Sequence, residues 1–411
     1  MISIEDAKKI IHDNLPQPRI EKRSLNDASG LNLAEKLTAP EPVPGFENSS
    51  MDGYAVAFNP DDVDKSQIEL PVIGESKAGF PFIGELKQGE AVLISTGAVV
   101  PKGTDRIIKV EDTEQKTGRV IIKDIGNKGD FIRSIGEEIK KGDVVANAND
   151  FLSPSLIAYL ASFGFISVPV YAPPRVAILT TGEELVDTDK TPELGQIRNS
   201  NDVFLNAFLL ALGIKEVVRN KIGDSLEKTQ LAISDAESKT DIILICGGVS
   251  VGPHDHVKEA AESLGFERLF WRIKQKPGKP LYFAAKGKKL LFGIPGNPVS
   301  TVICSAFYIY PVLRHYLGFK STGLSTIIGY FQGEKEFKEF KRTKLLQVNI
   351  VRWENNTAVI EAVELQKSHM LSSAASSDGF VIISTDHQKI NPSDEFKIHL
   401  FPWIELDVEG Y

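Results

Sequence analysis

Three acidic residues fall where strands should end in the middle of the chain: Glu184 after AILTTG, Asp224 after VVRNKIG and Asp255 after ILICGGVSVG. Parallel strands would deliver the loops carrying them to one edge of a sheet, where hard oxygens beside a phosphorylated ligand could hold Mg²⁺. The other reading is that each acid simply opens a helix and favours its dipole, which suits Asp224 alone better than it suits the set. The segment DIILICGGVSVGPHDHVK (241–258) adds to the first reading. An apolar run ends in Gly247 and Gly248, passes Ser250, and reaches Asp255 and Lys258 at a helix start. Glycines let backbone approach a ligand closely, and the N–H groups and helix N-terminus that follow favour an anion. A tight crossover loop with no ligand is the alternative.

Basic groups follow in WRIKQKPGKP: Arg272, Lys274, Lys276 and Lys279. Proline and glycine stiffen this loop, so Lys276 and Lys279 are pre-placed as point charges for phosphate or another oxyanion, unless the loop is a solvated hairpin tip. IPGNPVS (294–300) offers a second anion-holding device, a rigid turn with Ser300 at a helix N-terminus, or only a well-capped helix. NSSMDGYAV (48–56) and ISTGAVVPKGTD (94–105) are turns with short polar side chains, at Asp52-Gly53 and Thr96-Gly97-Ala98. IRSIGEEIKKGD (132–143) is a turn region with exposed acids, Glu137 and Glu138. The seven histidines show no metal-ligand spacing, and His254 and His256 read as loop or cap contacts. Cys246 and Cys304 lie in apolar surroundings without CxxC spacing, which points to buried thiols in a reducing compartment.

The elements that must position these residues can be read from periodicity. Ser3 with Asp6 resembles a capping box, and Ile4, Ala7, Ile10 and Ile11 make one helical face. From about residue 40 to 150 short apolar runs broken by glycine and proline predict an all-β segment, with helical signal returning at 153–165. From Pro173 strands and helices alternate. A helix is expected over 201–212 with Val203, Phe204, Phe208, Ala211 and Leu212 on one face, then further helices over 225–237 and 255–264. The closing helix begins at Asn297 and Pro298, and Pro311 should kink it. Alternation of this kind means a doubly wound sheet with helices on both faces. After Gly318 the chain is β-rich again, as in a small barrel or sandwich.

The bulk composition narrows the class. At 411 residues the chain should form three or four domains, and 42% apolar with 25% charged content is that of a soluble globular protein. A net charge of -8 argues against general nucleic-acid or anionic-membrane binding, so an anionic ligand needs a local basic cluster. MISIEDAKKI has no apolar h-region and no apolar run reaches spanning length, so a cytoplasmic protein is expected.

In this order FENSSMDGYAV, ISTGAVVPKGTD, RSIGEEI, LTTGEEL, GQIRNSN, GGVSVGPHDHVK, KPGKP and IPGNPVS resemble the molybdopterin molybdenumtransferase family, the MoeA type also seen as the E domain of gephyrin. The resemblance runs from about residue 3 to 405. It implies a multidomain α/β plus β fold: a helical linker domain (1–45 and 146–172), a β-rich inserted domain (46–145), a doubly wound molybdopterin-binding α/β domain (173–318) and a C-terminal β-barrel-like domain (319–411). It implies a homodimer whose active cleft lies between the α/β domain of one subunit and β parts of the other. It further implies that adenylylated molybdopterin and molybdate are the substrates and that AMP is released in a Mg²⁺-dependent step. Transient contact with the adenylyltransferase and with molybdoenzyme maturation proteins would follow.

Carried over by motif, Glu184, Asp224 and Asp255 would serve the metal and the adenylate phosphates. Gly247, Gly248 and Ser250 would contact the phosphate region, and Arg272, Lys276, Lys279, Pro295, Pro298 and Ser300 would shape an anion pocket. Asp52, Thr96 and Glu138 would come from the β part, across the dimer. Arg342, Ser368 and Ser372 sit where the family supplies further molybdate contacts. Arg272 stands where many members carry lysine, Glu138 where aspartate is frequent, and SSDGF (376–380) replaces an Ala-Asn-Gly-Leu-like run, which leaves molybdate against tungstate open. The competing readings are the adenylyltransferase of the preceding step, a CinA-like hydrolase on the same α/β module, and a non-catalytic scaffold of the gephyrin kind.

Overall fold

The computed structural model describes residues 1–59, 67–250, 252, 255–337, 340–387, 389–392 and 394–405. It divides into two compact units, Met1–Ala34 with Val168–Tyr411, and Glu35–Ser167. In the first unit the opening helix Ile4–Asp13 starts with a true capping box: Asp6 N–H donates to Ser3 Oγ at 2.9 Å, and Ser3 N–H to Asp6 Oδ2 at 3.3 Å. Its apolar stripe, Ile4, Ala7 and Ile11, enters the same core as the central sheet.

That sheet has six strands: β1 (Val176–Thr181), β2 (Val217–Ile222), β3 (Ile242–Cys246), β4 (Glu267–Trp271), β5 (Tyr282–Lys286) and β6 (Lys289–Ile294). Their order is β2-β1-β3-β6-β5-β4; β2, β1, β3 and β6 run parallel, and β5 pairs antiparallel with both β6 and β4. The uninterrupted apolar runs of β1 and β3 follow from burial on both faces. Val176, Ile178, Ile242 and Leu244 face one core, while Ala177, Leu179, Ile243 and Ile245 face the other. Helices Leu226–Lys239 and Val257–Ser263 cover the second face. This is the doubly wound sheet with helices on both sides that the alternation led us to expect.

Two local expectations change. The helix over Ser200–Ala211 buries Leu205, Phe208 and Leu209, while Val203 is 45% exposed and Ala211 is also at the surface. Phe208 is buried and Phe204 and Leu212 pack against the core as expected, so the stripe is shifted, with Leu205 and Leu209 in place of Val203 and Ala211. Beyond Pro298–Cys304, the expected kink at Pro311 is preceded by a change of helix type. The preceding turns, Ser305–Ile309, widen into a π-helical segment before Tyr310–Tyr316 continues. A proline inside a helix lacks the N–H and presses on the carbonyl four residues back, and the wider turn accommodates both.

The C-terminal segment is a closed five-stranded barrel of β7 (Thr326–Phe331), β8 (Thr343–Glu354), β9 (Thr357–Ala362), β10 (Gly379–Ile383) and β11 (Glu395–Leu400). The ring runs β8-β9-β7-β11-β10 and returns to β8. Closure removes the exposed edges that so short a sheet would otherwise carry.

The second unit holds a six-stranded sheet in the order Arg106–Lys109, Gly53–Ala57, Glu90–Ile94, Ile68–Ser76, Arg119–Ile122, Thr113–Lys116. Helix Pro154–Ser162 follows, with Ser153 Oγ accepting from Leu156 N–H as its cap. No described helix is long and apolar enough to cross a membrane.

Candidate functional site

A cavity of about 570 Å³ opens at the carboxyl ends of β1, β3 and β6. The connection from β1 leads to β2 on one side, and the next crosses back to β3 on the other, so β1 and β3 flank the switch point where α/β sheets bind ligands. Glu184, Asp224 and Asp255 all line this one cavity, with Gly247, Gly248 and Ser250 from the loop after β3 and Pro295 and Pro298 from the turn after β6.

The local geometry explains the glycines. Gly247 has φ +96°, and a Cβ there would meet Thr181 Oγ1 at 2.6 Å and the Thr181 carbonyl oxygen at 2.8 Å. Gly248, at φ +64°, passes within 2.9 Å of Val257 in the same sense. Only glycine accepts both conditions, so backbone forms the cavity floor here. The carboxylates are held by main-chain donors: Glu183 N–H donates to Asp224 Oδ2 at 3.2 Å, and Gly252 N–H to Asp255 Oδ2 at 2.5 Å. Cys246 forms part of the wall, and burial, opposed by Thr301 and Asn201, pushes its thiol up to about 11. It is a neutral packing group. Both cysteines are free and buried.

Other expected residues lie elsewhere. Ser300, expected at the cavity edge, is 3% exposed inside the helix Pro298–Cys304, because the third helical position turns its side chain into the core. Arg272, Lys276 and Lys279 do not line the cavity, although Pro280 of the same loop does. That loop is anchored by Gln275, fully buried, whose Nε2 donates to the Pro277 carbonyl at 3.0 Å and whose Oε1 accepts from Tyr308 Oη. Gln275 and Lys276 also pair in parallel with Thr343 and Lys344 of β8. Arg342 Nη1 donates to the Gln275 carbonyl at 3.4 Å, so it sits beside the lysine loop. Ser368 offers its carbonyl to Val299 N–H at 3.2 Å, and Ser372 is exposed in helix Leu371–Ala375. His254 lies outside the described residues, and His256 occupies a helix N-cap position without a side-chain cap bond.

In the second unit three motifs of the sequence meet. Thr96 N–H donates to Asp52 Oδ1 at 2.8 Å, Ser49 pairs with Ile132, and Asn48 bridges to Val99. Asp52 and Thr96 are thus neighbours at the surface, whereas Glu138 is exposed on a separate turn, its N–H donating to the Val43 carbonyl at 3.1 Å.

The residue reading missed several lining groups: Thr180, Arg198, Asn199, Asn201 and His369. Asn201 Nδ2 donates to the Gly296 carbonyl at 2.7 Å and reaches Cys246 Sγ at 3.2 Å; Asn199 Nδ2 donates to Thr180 Oγ1 at 2.8 Å. The signal was the polar run GQIRNSN between a strand and a helix, which marks backbone-holding amides as readily as it marks a cap.

Fold and cavity together define an α/β protein with a cavity at the switch point of its sheet and β-rich segments before and after. Comparison with known families narrows this. Residues 2–164 match the MoeA N-terminal region (domain I and II), residues 177–315 a probable molybdopterin binding domain, and residues 333–401 the MoeA C-terminal region (domain IV). A molybdopterin molybdenumtransferase of Haemophilus influenzae is 31% identical over 415 residues, covering 98% of this chain and 99% of the relative. One of Bacillus subtilis is 30% identical over 392 residues, covering 93% and 90%. A solved molybdopterin biosynthesis MoeA protein of Pyrococcus horikoshii superposes with TM-score 0.82 at 27% identity, covering 98% of this chain and 99% of that one. The chain belongs to the MoeA family.

Proposed function

We propose that the protein inserts molybdate into adenylylated molybdopterin with release of AMP, as a molybdopterin molybdenumtransferase. One observation carries this reading: Glu184, Asp224, Asp255, the Gly247–Ser250 loop and the Pro295–Pro298 turn line a single cavity at the switch point. Adenylate cleavage needs fixed donors against charge growing on the leaving phosphate, and backbone at Gly247 and Gly248 can approach a phosphate that no side chain obstructs. Ser250 adds a hydroxyl beside them. Asp224 and Asp255, each held by a backbone N–H, keep their orientation without substrate.

Three carboxylates against Arg198 make the cavity wall acidic, which repels a phosphate unless a cation intervenes. Among the described residues no three His, Cys, Asp or Glu side chains stand close enough to cage a metal ion by themselves. That suits Mg²⁺, which takes one or two carboxylates and completes its shell with substrate phosphate and water. One or two of Asp224, Asp255 and Glu184 would hold it together with substrate phosphate, and its charge would offset that of the leaving phosphate. Lys276, Lys279 and Arg342 belong to the proposal as the basic side of an oxyanion pocket next to β8. A homodimer in the cytoplasm, with Asp52, Thr96 and Glu138 supplied by a second copy, is also part of it.

The test is incubation with adenylylated molybdopterin, molybdate and Mg²⁺. Molybdate-dependent AMP release with a molybdenum-bearing pterin product is expected. Robust adenylylation of molybdopterin from ATP, with no AMP release from the adenylate, would move the assignment to the preceding enzyme.

A further inference from the structure

The loop after β3 is held from behind by two side chains outside the cavity lining. Trp271, the last residue of edge strand β4, donates from Nε1 to the Val249 carbonyl at 3.0 Å. Lys258, in the first turn of the helix Val257–Ser263, donates from Nζ to the next carbonyl, that of Ser250, at 2.5 Å. The same two side chains stack: Lys258 Nζ stands 3.8 Å from the centre of the Trp271 ring, and the Arg272 guanidinium lies 3.8 Å from it as well. An indole contacted by two cations is fixed in orientation by electrostatics as well as by packing. Arg272 holds its place with φ +74°, a left-handed conformation that a non-glycine residue adopts only when its surroundings impose it.

The consequence lies in the peptide plane. The peptide between Val249 and Ser250 is trans, so its carbonyl and its N–H point in opposite directions. With the carbonyl turned to Trp271, the Ser250 N–H is turned away from Trp271, in a loop whose Gly248, Val249 and Ser250 all line the cavity. Burial and the neighbouring Arg272 and Arg268 lower the Lys258 pKa, while Asp255 opposes them, as expected for a cation recruited into a packed loop support.

We propose that Trp271 and Lys258 are positioning residues: by capturing the Val249 carbonyl Trp271 aims the Ser250 N–H of the same peptide at the phosphate of the substrate, and Lys258 holds the next carbonyl and the Trp271 ring in place. The inference rests on the reading of the cavity given under the proposed function, and it adds residues to that site that do not touch the substrate.

The experiment compares steady-state AMP release and equilibrium binding of adenylylated molybdopterin by the full chain and four variants. Trp271→Phe keeps the ring and its cation contacts but deletes the Nε1 donor. Lys258→Met deletes the ammonium, and Lys258→Arg retains a donor. Arg268→Met removes a nearby exposed cation, paired with Glu262, that does not reach the loop. Losing one such bond raises KM and weakens binding about tenfold for Trp271→Phe and Lys258→Met, with kcat within about twofold of wild type. Lys258→Arg recovers most of the loss, and Arg268→Met binds as wild type. Unchanged KM in both deletion variants, or the same loss in Arg268→Met, overturns the positioning role while wild-type turnover stands. Absence of binding and turnover in the wild type instead overturns the functional reading and takes this inference with it.

Discussion

At the scale of single residues the question is which charges act and which are structural. Asp224 and Asp255 each accept a main-chain N–H, so replacing them by alanine would disturb the loop as well as the charge. Asn keeps an acceptor of the same shape. Asp224→Asn and Asp255→Asn should therefore retain the melting temperature yet slow AMP release about 100-fold, the scale of losing one electrostatic partner of a transition state. Unchanged turnover would remove both from the mechanism. Lys8 and His399 behave differently. Lys8 Nζ lies 3.4 Å above the Phe307 ring, and His399 stacks on Phe380 and meets Phe307 edge-on. Burial lowers Lys8 to about 8; burial first, then Lys8 and Lys397, lowers His399 to about 4. In the unfolded chain His399 takes its proton near pH 6.5, before the folded chain does, so stability falls as pH drops from about 6.5 to about 4. His399→Phe should flatten that part of a melting-temperature profile by pH. An unaltered acid limb would show that other groups set it.

At the scale of elements, the loop after β3 is the most constrained piece. Gly247→Ala places a methyl 2.8 Å from the Thr181 carbonyl oxygen at φ +96°, so it should cost about 1–3 kcal/mol in urea unfolding and abolish turnover. A variant with wild-type stability would mean that the loop has room to move. This element was legible in the sequence because an apolar run, two glycines and a helix start have few common solutions. The carboxylates were legible in part for the same reason: Glu184 and Asp255 sit one loop beyond buried apolar strands, whereas Asp224 follows the edge strand VVRNKI, which is marked only by its place in the alternation. The lysine loop was less so. KPGKP declares stiffness but not direction, and its direction comes from Gln275, whose buried bonds to Pro277 and Tyr308 link residues 33 positions apart at the far end. Ser300 shows the same limit, since IPGNPVS gives the turn but the helix phase decides which side chain meets the cavity. The π-helical turns before Pro311 could not be foreseen, because a kink and a widened turn relieve the same clash.

At the scale of the molecule, the two compact units each carry part of the residue set that the motifs single out. Asp52 and Thr96 adjoin in the unit Glu35–Ser167, and Glu184, Asp224 and Asp255 share a cavity in the other. If the working assembly is a homodimer in which one copy provides the first pair and the other the carboxylates, then defects in the two sets should complement. Asp52→Ala and Asp255→Asn homodimers would each be slowed on the order of 100-fold, because every site lacks one partner. Unfolding and refolding a one-to-one mixture yields half heterodimers, each with one site carrying both lesions and one carrying none, so activity should recover to about a quarter of wild type. The measurement is AMP release after subunit exchange, with size-exclusion light scattering to establish the dimer. No recovery in a mixture shown to contain heterodimers would place both residues in a site built within one copy, and a monomer in solution would dispose of the shared arrangement altogether.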